Sequence, residues 1–288
     1  MASLERSMER FESEGWVLVS QSDPLPELRL DVALLPSLIQ DARSAFVVVD
    51  VLRASTSIVT LLERGVPAVI PAAGVEEARA LRERLPGPLL CGEQGGLPPP
   101  GFDYGNSPAE FAAATLDGRP AILATSNGTR ILNDLADAPA VLVGALVNRE
   151  AAAYALLALA AKYGCEATIV CAAAPSGRSI ALEDALGAGA IAEAALRLDP
   201  SLQPTDAALF ARDAFLAAAA GLRTALASAR HGVELIAAGF AADVEHCARL
   251  DVSSVVPLLE RDASACVPRL HRSPDGALEL RALTNTAE

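Results

Sequence analysis

Several loops of this sequence place carboxylate, guanidinium and amide groups directly after apolar runs. The first loop, DVLRAST, covers residues 50–56 and follows an apolar run that begins at Ala45. Asp50 supplies oxygen ligands of the kind that a hard cation such as Mg²⁺ prefers. Arg53 can form a forked contact with phosphate or another oxyanion. A helix cap at Ser55 beside a surface ion pair is the competing interpretation, and the residue types alone leave both open.

A second segment, from residue 92 to residue 108, is rich in glycine and proline. Glycines let backbone N–H groups approach a ligand closely, and Glu93 and Asp103 add oxygen ligands. An ordinary long surface loop would have a similar composition. Because loops of this length inside compact domains are often functional, we favour a binding role.

Two later loops carry related groups. Residues 125–129, TSNGT, open a predicted helix whose N-terminus favours an anion, and Asn127 and Thr129 can donate hydrogen bonds. A capped helix start without any ligand is the alternative. Further along, Arg178 precedes the pair Glu183-Asp184. These two carboxylates either favour a helix start through its dipole, or one of them reaches a metal ion.

Known phosphatase patterns narrow the chemistry. Six residues separate Cys171 from Arg178, where cysteine phosphatases have five, so a thiolate nucleophile is disfavoured. Asp50 is not followed by the second aspartate of the haloacid-dehalogenase D-x-D pattern. The Arg-His-Gly triplet of histidine phosphatases occurs only at residues 230–232, in a helical region without a preceding strand. No G-x-x-x-x-G-K-[ST] phosphate loop is present. Carboxylate chemistry with a hard metal ion remains.

Composition excludes other classes of partner. Against 36 acidic residues there are 23 lysines and arginines, a net charge of −13, and no basic run offers a nucleic-acid or anionic-membrane surface. A small anion must therefore bind in a local pocket. The longest apolar stretch, residues 151–161, is far short of a membrane span. Five cysteines without a C-x-x-C pair or a signal peptide indicate reduced thiols in a cytoplasm.

The elements that must position these loops alternate between short apolar runs and helical patterns from residue 28 onward. This rhythm predicts an α/β fold with three α/β/α layers and a mainly parallel sheet. Residues 1–26 are predicted to be an N-terminal extension and residues 27–288 one α/β domain. Pro200 to Thr205 is either an internal break or only a loop. Since ligands of open α/β sheets bind outside the carboxyl ends of the strands, we expect the loops to meet there.

The ordered set of segments resembles the 2-phosphosulfolactate phosphatases of coenzyme M biosynthesis. The resemblance extends from Leu28 to Pro257, nearly the whole chain, and each segment alone would be weak evidence. The segments are residues 48–54 (VVDVLRA), 92–96 (GEQGG), 101–108 (GFDYGNSP), 125–130 (TSNGTR), 171–172 (CA), 182–184 (LED), 239–247 (GFAADVEHC) and 255–257 (VVP).

The resemblance implies an α/β/α, Mg²⁺-dependent hydrolase that converts 2-phosphosulfolactate, a small anionic phosphoester, to 3-sulfolactate and phosphate. Carried over by position, the candidate catalytic residues are Asp50, Glu93 and Asp103, and the candidate metal ligands are Asp50, Glu93, Glu183 and Asp184. The candidate substrate-binding residues are Arg53, Asn106, Ser107, Asn127, Thr129 and Arg178. The sequence departs from the family at Gln94, where arginine is frequent, and over residues 172–176, where a shorter, glycine-bearing stretch is usual. Both departures bear on which substrate is bound rather than on the type of reaction.

The sequence leaves the mechanism, the substrate and the class of the protein open. One carboxylate orients or deprotonates an attacking water, or Asp50 forms an aspartyl-phosphate intermediate. The substrate is 2-phosphosulfolactate or another small 2-phospho acid, and a non-catalytic anion-binding protein is the rival from another class. A homodimer is a further expectation, since cyclic dimers are the commonest assembly.

Overall fold

The computed structural model describes residues 28–125, 128–173, 178–259 and 280–282, and the fold is given for these ranges. Ten strands within them join into one sheet. They are β1 Arg29–Ala33, β2 Ala45–Val49, β3 Val69–Ala72, β4 Leu89–Gly92, β5 Ala121–Ala124, β6 Ala140–Gly144, β7 Ala167–Cys171, β8 Gln203–Pro204, β9 Pro257–Leu259 and β10 Leu280–Ala282.

Ten α-helices lie between these strands in the described ranges. They are α1 Ala54–Glu63, α2 Val75–Arg84, α3 Pro108–Ala113, α4 Gly128–Asp134, α5 Arg149–Tyr163, α6 Leu182–Leu198, α7 Asp206–Ala218, α8 Leu222–Ser228, α9 Arg230–Ala237 and α10 Ala241–Cys247. Short 3₁₀ turns occur at Pro36–Leu38, Leu146–Asn148 and Ala219–Gly221.

The sheet has the strand order β4-β5-β3-β10-β9-β6-β2-β7-β1-β8. Two groups of strands, β4-β5-β3 and β6-β2-β7-β1-β8, are parallel within themselves. Strands β9 and β10 pair antiparallel with each other and with β6 and β3, respectively. Three antiparallel steps reverse direction three times, so the two parallel groups run in opposite senses. The prediction of a mainly parallel sheet in an α/β fold is confirmed.

Alternation along β2 fixes the layers, because successive side chains of a strand point to opposite faces. Val47 and Val49 pack with apolar residues of α5 and α6, whereas Phe46 and Val48 pack with those of α1 and α4. All five residues of β2 are buried, which explains the continuous apolar run in the sequence. Helices thus cover both faces, as the three-layer prediction requires.

Small residues let the helices of one face approach closely. A Cβ added at Gly189 of α6 would collide with the carbonyl oxygen of Ala211 in α7. Only glycine fits this crossing, and the surrounding alanines of α6 are fully buried. The high alanine content therefore has a structural use, since it builds a thin helix-on-helix layer over β1, β2 and β7.

Most predicted bounds agree with the structure. The apolar runs at residues 89–92, 121–124 and 140–144 predict strands and the alanine-rich residues 149–163 predict a helix, and β4, β5, β6 and α5 have these bounds. The last strand was expected near residues 254–257 but begins at Pro257, and β10 and the short helix α3 were not predicted. Gln203 and Pro204, within the proposed break or loop, pair with β1 as an edge strand. No helix in the described ranges is long and apolar enough to cross a membrane.

Candidate active site

Asp50 follows β2 directly and lies against the first turn of α1. Its N–H donates to Ser55 Oγ over 2.8 Å, and its carbonyl accepts the Ser55 N–H over 2.9 Å. The Ala54 N–H donates to Asp50 Oδ1 over 3.3 Å. These bonds close a tight strand-to-helix turn and hold the carboxylate at the N-terminus of α1, where the helix dipole favours negative charge.

Gly128, the first residue of α4, contacts the same carboxylate. A Cβ at this position would lie 2.8 Å from Asp50 Oδ2 and 2.9 Å from the Cβ of Ala54. Glycine is therefore required for the start of α4, which follows β5, to lie against the loop after β2. The expectation that these loops gather is confirmed for this pair.

Burial raises the pKa of Asp50 to about 6. Protonated His231 and the Ala54 N–H lower this pKa, while the negative charges of Glu183 and Glu93 raise it. The negative charges of Glu93 and Glu183 thus lie close enough to Asp50 to oppose its ionisation. Excess negative charge beside a buried carboxylate is favourable to a bound cation.

Glu183 and Asp184 form the first turn of α6 and are both buried. Burial is the main cause that raises the pKa of Glu183, and His231 Nδ1 lies 3.8 Å from Glu183 Oε1. The side chain of His231 is 36% exposed. Glu183 therefore connects the buried site to a histidine at the protein surface.

Asp184 accepts hydrogen bonds from the backbone of two loops of the site. Its Oδ1 accepts the Val51 N–H over 2.9 Å, and the backbone of Ala173 also hydrogen-bonds to its carboxylate. Burial, Asp50 and Glu183 raise its pKa well above the usual value. Since backbone N–H groups occupy this carboxylate, we assign Asp184 to joining the loops after β2 and β7 rather than to holding a metal ion.

Glu93, the residue after β4, is fixed by its own loop. The Gly96 N–H donates to Glu93 Oε2 over 2.8 Å, and Glu93 is only partly buried. The carboxylate is thus held by the loop after β4, within electrostatic reach of Asp50.

Arg53 is buried in an ion pair, which contradicts the alternative of a surface ion pair. Its Nη1 donates to Asp243 Oδ2 over 2.8 Å and its Nη2 donates to the Gly96 carbonyl over 3.0 Å. The guanidinium also lies over the ring of Phe240, 4.5 Å from its centroid. Ser107 Oγ donates to the other oxygen of Asp243 over 2.6 Å. Arg53 and Ser107 therefore belong to one buried network.

The carboxylate of Asp103 contacts β4 and α2. It accepts the Leu90 N–H over 2.8 Å and forms an ion pair with Arg82 over 3.1 Å. These contacts tie the glycine-rich segment to β4 and α2. We assign Asp103 a structural role in this arrangement.

The remaining predicted residues have different surroundings. Thr129 is fully buried, and its Oγ1 donates to the Thr125 carbonyl, as expected for a helix start that satisfies itself. Asn106 is buried, and its Oδ1 has no hydrogen-bond partner among the described residues, so this acceptor is available to a donor or a cation. Arg178 is exposed and precedes α6. Asn127 lies outside the described residues.

The donor set suits a hard cation held by few protein ligands. Across the described ranges, no three Asp, Glu, His or Cys side chains form a ready metal-binding group. The four predicted metal ligands therefore do not converge as a single set. Mg²⁺ is commonly bound by one or two carboxylates, with waters and substrate phosphate completing its shell. Asp50 and Glu93 fit that pattern, and the charges of Glu93 and Glu183 that oppose the ionisation of Asp50 favour a cation.

Two residues of this region were not predicted from the sequence. Asp243 lies within residues 239–247, which carried part of the family resemblance, but no role was inferred for it. His231 was considered only as part of a histidine-phosphatase triplet. The signal that could have found Asp243 is an acidic residue in an otherwise apolar helix turn next to Phe240.

Comparisons with known proteins agree with this picture. A model of the family described as 2-phosphosulpholactate phosphatase matches residues 33–262. A probable 2-phosphosulfolactate phosphatase of Deinococcus radiodurans is 40% identical over 233 residues, which cover 81% of this chain and 93% of the relative. The protein of the same name from Carboxydothermus hydrogenoformans is 36% identical over 231 residues, with 80% and 92% covered. The resemblance predicted from the sequence is confirmed.

Proposed function

The chain belongs to the 2-phosphosulpholactate phosphatase family, whose enzymes are phosphoric monoester hydrolases, and we propose that it hydrolyses 2-phosphosulfolactate to 3-sulfolactate and phosphate with Mg²⁺. The observation that carries the proposal is the group of opposed carboxylates around Asp50, between the loops after β2 and β4 and the start of α6. A pure anion-binding protein would gain nothing from acidic residues beside its ligand.

In this proposal Asp50 and Glu93 would hold the cation. Bound Mg²⁺ polarises phosphoryl oxygens and offsets the charge that develops on them. The N-terminus of α1 adds a favourable potential for the phosphoryl group. Asn106 and the exposed Arg178 are the proposed substrate contacts. The unpartnered Oδ1 of Asn106 is an acceptor, so it would face the cation or its waters rather than the phosphate oxygens.

Glu183 is the group we assign to the attacking water. It is buried beside Asp50, and His231 at 3.8 Å offers an exit for the proton. Water attacks phosphorus and gives its proton to Glu183, the bond from phosphorus to the C2 oxygen breaks, and that oxygen takes a proton from solvent water, so that the step balances. The aspartyl-phosphate alternative at Asp50 remains distinct, and trapping a phosphoenzyme would establish it.

The experiment is phosphate release from 2-phosphosulfolactate by the purified protein, with Mg²⁺ and then with EDTA. We expect release only with the metal ion, and restoration when excess Mg²⁺ follows EDTA. Phospholactate and phosphoglycerate, which lack the sulfonate, are the matched substrates. Faster turnover of either would assign the enzyme to another small 2-phospho acid. Binding without turnover of any of the three would favour the anion-binding protein.

The same proposal extends to the metabolic role and the compartment of the enzyme. The product would supply coenzyme M biosynthesis, and the enzyme would work in the cytoplasm without nucleic-acid or membrane partners. The acidic composition and the buried free thiols of Cys91, Cys171 and Cys247 support this setting. The homodimer stays a prediction.

A further inference from the structure

We propose that Asp243 is a positioning residue that holds Glu93 beside Asp50, acting through Arg53 and Gly96. This inference rests on the proposed function only for its catalytic consequence. The physical link itself is a chain of hydrogen bonds that runs from α10 to the carboxylate of Glu93.

The first part of the link is the environment of Asp243. This carboxylate is 1% exposed, and both oxygens are engaged. Oδ2 accepts from Arg53 Nη1 over 2.8 Å, while Oδ1 accepts from Ser107 Oγ over 2.6 Å and from the Ala109 N–H over 3.1 Å. Asp243 therefore joins α10, the start of α3 and the loop after β2 at one buried point.

The second part is the direction that this ion pair gives to Arg53. With one Nη fixed on Asp243 and the aromatic ring of Phe240 beneath the guanidinium, the other Nη donates to the Gly96 carbonyl over 3.0 Å. A guanidinium is a rigid planar fork, so fixing one arm orients the other. Arg53 thereby fixes the position of the Gly96 carbonyl group.

The third part is Gly96 itself. Its carbonyl accepts from Arg53, and its N–H donates to Glu93 Oε2 over 2.8 Å. The Glu93 N–H donates to the Ala124 carbonyl at the end of β5 over 2.9 Å, and α4, which follows β5, contacts the Asp50 carboxylate at Gly128. Loss of the Asp243 charge would release Arg53, then Gly96, and finally the Glu93 carboxylate. Outer partners of this kind typically change activity by about 10–100-fold.

The structural test is hydrogen exchange of the segment 93–97 in the full-length protein, which needs no substrate. We expect D243N to accelerate exchange of the Gly96 amide by about tenfold or more, because its acceptor on Glu93 is no longer held. R53K is the milder variant, since lysine keeps the charge opposite Asp243 but lacks the second arm. D251N is the matched control, because Asp251 pairs with Arg149 in a similar manner on another surface. Unchanged exchange in both D243N and R53K would overturn the inference.

The catalytic test is a comparison of kcat and KM. We expect D243N to lower kcat by about 10–100-fold with KM changed less than about threefold, and to lower it no further in an E93Q background. Equal factors in both backgrounds, or a rise in KM alone, would contradict a role through Glu93. If wild-type protein fails to cleave 2-phosphosulfolactate, the proposed function fails, while the exchange result still decides the positioning.

Discussion

Two clusters in this protein contain the same three residue types. In one, Arg53 pairs with Asp243 over 2.8 Å and stacks on Phe240 at 4.5 Å. In the other, Arg149 pairs with Asp251 over 2.6 Å and lies 5.5 Å from the ring of Phe215. Both clusters fix a loop to a helix.

Their surroundings differ. The side chains of Arg53 and Asp243 are 2% and 1% exposed, whereas those of Arg149 and Asp251 are 16% and 27% exposed. Arg149 has two further acidic neighbours, Glu150 and Glu193. The second Nη of Arg53 instead donates to the Gly96 carbonyl, in the backbone of the candidate site. The role of an ion pair therefore depends on which groups its remaining donors contact and on how readily water can take the place of its partners.

The largest expected difference between the two regions is in activity. Asp50→Asn removes a carboxylate from the proposed cation site, so we expect kcat/KM for phosphate release to fall by about 10³-fold or more. D251N, at the second cluster, should stay within about twofold of wild type. Steady-state assays at saturating Mg²⁺ measure both. Activity retained by D50N, or by D50N/E93Q, would remove the proposed mechanism.

The next difference is in stability. Asp243→Ala leaves the Arg53 charge buried without its partner, and we expect a loss of about 3–5 kcal/mol in the free energy of unfolding. Asp251→Asn should cost at most about 1 kcal/mol, because solvent and the other acidic neighbours compensate Arg149, and asparagine keeps an acceptor for the Glu150 N–H and tolerates the positive φ of this residue. Urea unfolding at neutral pH gives both values. Equal losses would show that burial does not separate the clusters.

A smaller effect concerns a buried carboxylate that faces other carboxylates. The pKa of Asp50 is raised to about 6 in the folded protein, so ionisation above that pH disfavours folding. The contribution of Asp50 is fully present below about pH 4 and is lost as the pH rises through about 6. In EDTA, D50N should therefore be more stable than wild type at pH 8, by about 3 kcal/mol, and equal at pH 4.

Thermal unfolding at both pH values checks this prediction, with D251N as the control that lacks the pH-dependent gain. Addition of Mg²⁺ at pH 8 should reverse the order, because only the wild-type site keeps both carboxylates for the cation. A D50N protein that is less stable than wild type in EDTA at pH 8 would contradict the raised pKa.

The smallest expected effect is the response to salt. Screening at about 1 M NaCl acts over a Debye length of about 3 Å and weakens exposed pairs more than buried ones. The stability difference between wild type and D251N should shrink by roughly a few tenths of a kcal/mol, while that for D243A should hold. Unfolding series at low and high salt measure the contrast. A salt-sensitive D243A difference would place water at the Arg53 pair.

Much of the fold could be predicted from the sequence because its signals are local. The apolar run from Ala45 requires a strand buried on both faces, and the alanine-rich pattern of α5 requires a helix between Arg149 and Tyr163. Asp50 had to lie at a carboxyl end, since it follows such a strand. The start of α6 likewise had to carry Glu183 and Asp184 to the same edge.

The roles of particular side chains were decided only by tertiary structure. Arg53 and Asp243 are 190 residues apart, and no local pattern pairs them. Asp103 has the residue type of a metal ligand, but Arg82 and the Leu90 N–H hold it. Thr129 resembles an anion donor, yet it satisfies its own helix start.

The sequence by itself determined the layers, the strand ends and the family, because periodicity, residue type and segment order are properties of the chain. Tertiary structure decided which carboxylates oppose one another, which arginine is buried, and how β9 and β10 join two parallel groups that run in opposite senses. The physical reason is that hydrogen bonds and charges act over a few ångströms in space. Distance along the chain does not fix these separations until the fold brings the groups together.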